Sequence, residues 1–319
     1  MRPTSLTSED LTSEDLISEE LTSEDFVIEG VSSAWEQERI ASEPVTYGRD
    51  AWRRFRKNRA ALAAAVLLLL LLLLVAFGPA ISGYPLHERT NASARNLPPS
   101  SVHWFGTDSM WRDLFTRTCA GGRASIAIGL AGAAIVSIIG TLYGGFAALL
   151  GGRADNLMMR VVDILSSVPN LLVIILISVV LDSKSIGTMI FAMTITGWCP
   201  TARIVRSQML QVSQTDYVLA ARLMDISPAR IVLRHLIPNT MSVILVDTTF
   251  RIPGFIFSEA FLSYVGLGVQ PPQTSWGAMA AASQGMFQFY PWQLLFPAGM
   301  IALTMLAFTL LGDGLRDAL

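Results

Sequence analysis

Long apolar runs divide this chain into blocks. Ala60 to Phe77 passes eighteen residues without a charge, and further apolar blocks occupy 124–150, 162–181, 187–203, 240–264 and 290–311. At about 1.5 Å per residue, eighteen helical residues nearly cross a hydrocarbon core of about 30 Å. The pattern predicts an all-α integral membrane protein with six transmembrane helices, which puts both termini on one side. Gly78 and Pro79 are expected to end the first span, because proline cannot donate to the helical ladder.

The polar stretches between the blocks differ in kind. Residues 83–121 are rich in Pro, Ser and Arg and read as an external loop. Residues 204–239 are polar and carry arginines at helical spacing, with Tyr217, Ala220, Ala221 and Met224 near one face. Pro228 and Pro238 break the helices there. Gly140 and Gly144 are spaced for close helix packing. Residues 1–46 are a different material. Leu-Thr-Ser-Glu-Asp and close variants repeat four times over 6–25, and a five-residue step lines up no apolar stripe. Ser, Thr and acids predict an acidic, disordered tail, and the charge sign is wrong for a signal peptide.

Composition strengthens the membrane reading. The chain is 52% hydrophobic and 15% charged, where a soluble domain carries about 25% charged residues. The net charge of −2 conceals a division: residues 1–43 hold twelve acids and two arginines, so the remainder is basic. Its bases flank the apolar blocks, which is the mark of membrane topology rather than of nucleic-acid binding. With the N-terminus inside, and counting from Arg53, inner segments hold thirteen arginines and lysines and outer segments six. That bias predicts cytoplasmic N- and C-termini. Tyr47 to Arg59, with Trp52, Phe55 and five bases from Arg53 onward, forms an aromatic and basic collar before the first span.

Several chemistries are excluded. Cys119 and Cys199 cannot make a disulfide framework, and His87, His103 and His235 have no second ligand at metal-like spacing. A phosphate-binding loop needs Gly-Lys-Ser or Gly-Lys-Thr, and the two lysines, Lys57 and Lys184, follow Arg and Ser. No cluster of His, Asp and Glu at one depth suggests a membrane-embedded enzyme. No catalytic residue, cofactor site or metal site is expected. Three ionisable residues do fall within one span: Asp247, Arg251 and Glu259. A lone charge at mid-membrane costs at least about 2.5–3.5 kcal/mol on insertion scales. Asp247 and Arg251, four apart, can pair on one helical face. Two readings stay open for the three: a buried pair that orients spans, or a polar lining of a solute path.

Tyr217 to Ala221, followed by Pro238, resembles the cytoplasmic coupling loop of ATP-binding-cassette importer permeases, with Asp225 where that family usually has Gly. Ser258 to Gly277 reads SEAFLSYVGLGVQPPQTSWG and closely resembles the dipeptide and oligopeptide permease C subunits. So do 162–169 (VDILSSVP), the chain end 311–319 and Trp104 to Asp113, where Trp111 replaces a family Gly. The resemblance covers 47–319. It implies a type I importer permease fold, with a first anchor in 47–82, a five-helix core over 122–312 and a short tail at 313–319. It also implies a coupling site of Tyr217, Ala220, Ala221, Arg222, Met224 and Asp225. Implied partners are a homologous second permease, two cytoplasmic ATPase subunits that bind ATP and Mg, an external solute-binding protein and the lipid bilayer. The implied cargo is a dipeptide or oligopeptide, with nickel or glutathione as the near alternative. A secondary transporter is the remote one, since it needs an ion site and inverted repeats but no coupling loop.

Overall fold

The computed structural model describes residues 47–85, 94–181 and 185–319, and every described element is helical or irregular apart from one isolated bridge between Thr107 and Asp113. The acidic tail expected at 1–46 lies outside the described residues, as do His87 and Lys184.

A short amphipathic helix α1 (Tyr47–Phe55) leads into α2 (Arg59–Ser82), whose first turn is capped by the Asn58 side chain on the Ala61 N–H. Phe55 is buried with Ala61 and Ala318, and Asn58 donates to Asp317 at 3.2 Å, so the two ends of the membrane core meet here. α2 does not stop at Gly78 and Pro79 as expected; it runs on to Ser82 and ends at Gly83 in a left-handed conformation, φ 70°. The reason is tertiary. Pro79 leaves the Val75 carbonyl without its helical donor, and Arg123 of the next helix supplies one, Nε to Val75 O at 3.1 Å and Nη2 to Ala76 O at 2.7 Å. Gly78 is needed for a second reason: a Cβ there would sit 2.3 Å from Cys119 Sγ.

α3 (Leu114–Leu150) is the central strut, 37 residues and so about 55 Å long. It begins ten residues before the apolar block because Asp113 caps it, accepting from the Thr116 N–H at 2.8 Å. The predicted close packing at Gly140 and Gly144 is present. A Cβ on Gly140 would meet Thr201 at 2.6 Å, and one on Gly144 would meet the Ala202 carbonyl at 2.4 Å.

The block at 162–181 is not one straight span. α4 (Gly152–Ser167) and α5 (Asn170–Val180) meet at 77° across Val168 and Pro169. The next block is likewise divided, into α6 (Ile186–Gly197) and α7 (Cys199–Val212). Then follow α8 (Asp216–Leu223), α9 (Pro228–Ile231), a π turn (Val232–Leu236) and α10 (Ile237–Asn239). α11 (Met241–Tyr264), α12 (Trp276–Ser283) and α13 (Pro291–Ala318) complete the chain. Among the described residues α2, α3, α11 and α13 are each long and apolar enough to cross a membrane, the bent α4–α5 pair makes a fifth, and α6 is a shorter apolar helix. All six predicted blocks are thus helical, though two are broken. α3 packs against α2, α6, α7 and α11, and α13 closes the bundle against α2, α11 and α12.

Candidate functional site

Two regions bring the predicted residues into chemical settings: the α8 loop and the middle of α11.

α8 is fastened by one face. Val218 is fully buried and Ala221 nearly so, in an apolar cluster with Val205 and Met209 of α7 and Val232 and Leu236 of the π turn. The opposite face is open: Tyr217, Ala220, Leu223 and Met224 are exposed, with Leu223 at 88% and Met224 at 75%. Ala221 therefore leaves the expected coupling face. Its methyl packs inward, because residues 218 and 221 share a helical face with the core. Leu223, which spacing alone did not single out, joins the exposed tip. Arg222 is exposed and reaches the Leu149 carbonyl at 3.5 Å.

Asp225 explains how the loop turns. Its φ is 56°. The Ile226 N–H bonds the Ala221 carbonyl at 3.2 Å, and the Asp225 N–H bonds the Arg222 carbonyl at 3.1 Å. This is a Schellman cap, whose left-handed residue is usually glycine. Asp is among the few others that enter that conformation. Trp111, the second position where the resemblance implies a glycine, also has positive φ, 62°. Both residues thus hold a left-handed backbone conformation, the one that favours glycine.

The middle of α11 carries the expected ion pair. Arg251 donates from Nε to Asp247 Oδ2 at 2.7 Å and from Nη2 to Oδ1 at 3.1 Å. Asp247 Oδ2 also accepts from Thr201 of α7 at 2.9 Å. Arg251 lines a cavity of about 440 Å³ bounded by the α4–α5 bend, α6 and α11, with Pro169, Asn170, Met193, Thr196, Phe255 and Ser258. Asp247 lines a different cavity, of about 410 Å³, with Ile204, Val246, Arg316 and Leu319. Phe250 borders both, held between Gly312 and the Arg316 guanidinium, 5.2 Å from its ring. The pair bridges α7 and α11, and each member lines a cavity of its own.

Glu259 belongs to neither. It is fully buried and accepts from Ser125 at 3.0 Å, Ser263 at 2.8 Å and Ser275 at 2.6 Å. Gly277 lies against it, and a Cβ there would be 2.9 Å from its carboxylate. Its contacts are those of a fastening: it knots α3, α11 and the start of α12. Spacing could not reveal this, since Ser125 is 134 residues away.

A further pair joins residues 51 apart in the sequence, too far for spacing to reveal. Asp155 of α4 is buried and bound twice by Arg206 of α7. By sequence alone Arg206 is one of the inner loop bases. On the other side of the bundle, Asp113 accepts from His103 at 2.9 Å, and Asp108 holds Arg112 at 2.8 Å. Gln293 of α13 donates to Asn96 and to the Thr107 carbonyl, which docks the 94–113 segment on the bundle.

The sequence profile described as "Binding-protein-dependent transport system inner membrane component" matches residues 137–319. This chain belongs to that family. A second profile, the N-terminal TM domain of oligopeptide transport permease C, matches residues 46–99. The oligopeptide transport system permease protein OppC of Bacillus subtilis is 46% identical over 288 residues, 90% of this chain and 94% of that protein. The dipeptide transport system permease protein DppC of the same organism is 45% identical over 287 residues, 89% of this chain and 88% of that protein. OppC of Escherichia coli K12 is 39% identical, over 88% of this chain and 93% of that protein. The permease is accordingly a multi-pass membrane protein with the all-α fold of type I ATP-binding-cassette permeases, and a transport subunit rather than an enzyme.

Proposed function

We propose that this permease is one of two homologous membrane subunits of an ATP-driven dipeptide or oligopeptide importer in a prokaryotic plasma membrane. An external solute-binding protein delivers the peptide. Two cytoplasmic ATPase subunits bind ATP and Mg and dock on Tyr217, Ala220, Leu223, Met224 and the Asp225 turn. Residues 122–312 line half of the path, behind the anchor at 47–82. The observation that carries this reading is the α8 tip, with two large apolar side chains almost fully exposed beside a stiff Schellman cap. Such a tip is costly in water and suits a groove on a partner. The names of the relatives support the peptide cargo.

Movement of α8 has a route inward. Val218 and Ala221 press on α7, and α7 holds Asp247 through Thr201. A shift of α7 therefore changes the setting of Arg251 in the cavity. Transport is a population shift between inward-open and outward-open states, driven by the ATPases' unequal affinity for them.

Reconstitution tests the reading. Liposomes holding both permeases and the ATPases should accumulate trialanine only with ATP and the binding protein, and Leu223→Asp should abolish accumulation while ATP hydrolysis persists. Accumulation without the ATPase subunits would overturn it. N-in, C-in orientation is tested with single cysteines. Ser185 and Gln273 should react with an impermeant outside reagent and Gln214 should not. Ser213 is buried and would be silent from either side.

A further inference from the structure

Arg251 is the one charged side chain among the described residues lining the 440 Å³ cavity. That volume lies in the range of small-molecule sites, about 300–1,000 Å³. The other walls are apolar, such as Ile174, Met193 and Phe255, or neutral and polar, such as Asn170, Thr196 and Ser258. Such walls discriminate weakly among apolar and polar side chains of a cargo. A single cation discriminates strongly at one point.

The ion pair does not cancel that cation toward the cavity. Asp247 lies on the other side, among the residues of the second cavity, and is further engaged by Thr201. The pair is thus a dipole with its positive end toward the larger cavity. Arg251 spends Nε and Nη2 on Asp247, which leaves Nη1 without a hydrogen bond to the described residues. Arg251 is eleven residues into the 24-residue α11, so it sits near the middle of that candidate span. An ionised group there faces protein or water and not lipid.

We infer that Arg251 is a carboxylate-binding residue in the path, taking the C-terminal carboxylate of the transported peptide through Nη1. Asp247 fixes the guanidinium plane and keeps the grip weak enough for release, as conduction through a path requires. A cationic cargo, such as a bare metal ion, would meet like charge here. This inference rests on the proposed peptide import and adds a position-specific recognition to it.

The test compares trialanine with trialanine amide in liposomes holding the complete transporter. Uptake of each is measured at saturating binding protein, and the acid-to-amide ratio is the readout. The binding protein is the same throughout, so any change of ratio on permease substitution belongs to the permease. Arg251→Gln should lower the ratio about tenfold, the factor expected for one charge-assisted hydrogen bond. Asp247→Asn, which keeps the cation, should hold or raise it. Should Arg251→Gln fail to assemble, the double variant Asp247→Asn with Arg251→Gln leaves no lone buried charge and carries the same expected fall. A wild-type ratio in whichever of these two variants assembles overturns the inference while leaving peptide import standing. Absence of ATP-dependent uptake of either peptide by the wild type overturns the import reading, and this inference with it.

Discussion

α11 carries two carboxylates twelve residues apart, about 18 Å along the axis, and they do opposite work. Glu259 has no exposed surface and is surrounded by three serine hydroxyls and a glycine that leaves it room. Asp247 faces a guanidinium, and the two side chains line separate cavities. Neutral donors that fully enclose a carboxylate hold helices together and leave nothing for a ligand. A carboxylate that meets a cation at a cavity edge keeps a charge available. In a membrane span, then, an ionisable residue is a functional candidate by default, but its neighbours decide whether it is a fastening or a binding group.

The largest effect should come from the knot. Glu259→Leu strands three buried hydroxyls, at about 1–3 kcal/mol each where no new partner is found. The purified permease should lose several kcal/mol in detergent unfolding, with Glu259→Gln losing less. Full stability together with abolished transport would put Glu259 in the path and erase the contrast.

The ion pair should give a smaller, coupled effect. Asp247→Asn and Arg251→Gln should each destabilise more than the double variant does, with a coupling energy of about 1–3 kcal/mol in a double-mutant cycle. Additive losses would place the two residues in separate environments, against the bond lengths of 2.7 and 3.1 Å.

A third carboxylate sharpens the comparison, because its value lies in its backbone. Asp225→Gly should preserve or improve coupled uptake. Asp225→Val, forced into positive φ at a cost of about 1–2 kcal/mol, should impair it while the membrane core stays folded. Equal uptake for Asp, Gly and Val would remove the backbone constraint, and with it the case for a rigid coupling turn.

The smallest effect is expected where acids are most abundant. Deleting residues 1–43, with twelve acids, should leave membrane insertion and peptide uptake unchanged, because the segment has too little apolar surface to pack. Loss of assembly in a pull-down of the ATPase subunits would mean that the tail contacts a partner.

The sequence by itself determined the membrane class, the six apolar blocks, the Asp247–Arg251 pair and the close approach at Gly140 and Gly144. Each is written in hydropathy or in spacings of three or four residues along one helix, and such spacings survive any arrangement of the helices. Tertiary structure alone decided that α2 continues past Pro79, since the rescuing donor is Arg123, 48 residues beyond Val75. It also decided that Ala221 points inward, that the 162–181 block bends by 77°, and that Glu259 is enclosed by serines of three segments. The physical reason is the solvent. Lipid is as apolar as a protein core, so a helix such as α2 is apolar on every side, and only contact shows that Ala61, Ala64, Leu71, Val75 and Gly78 are the face that packs.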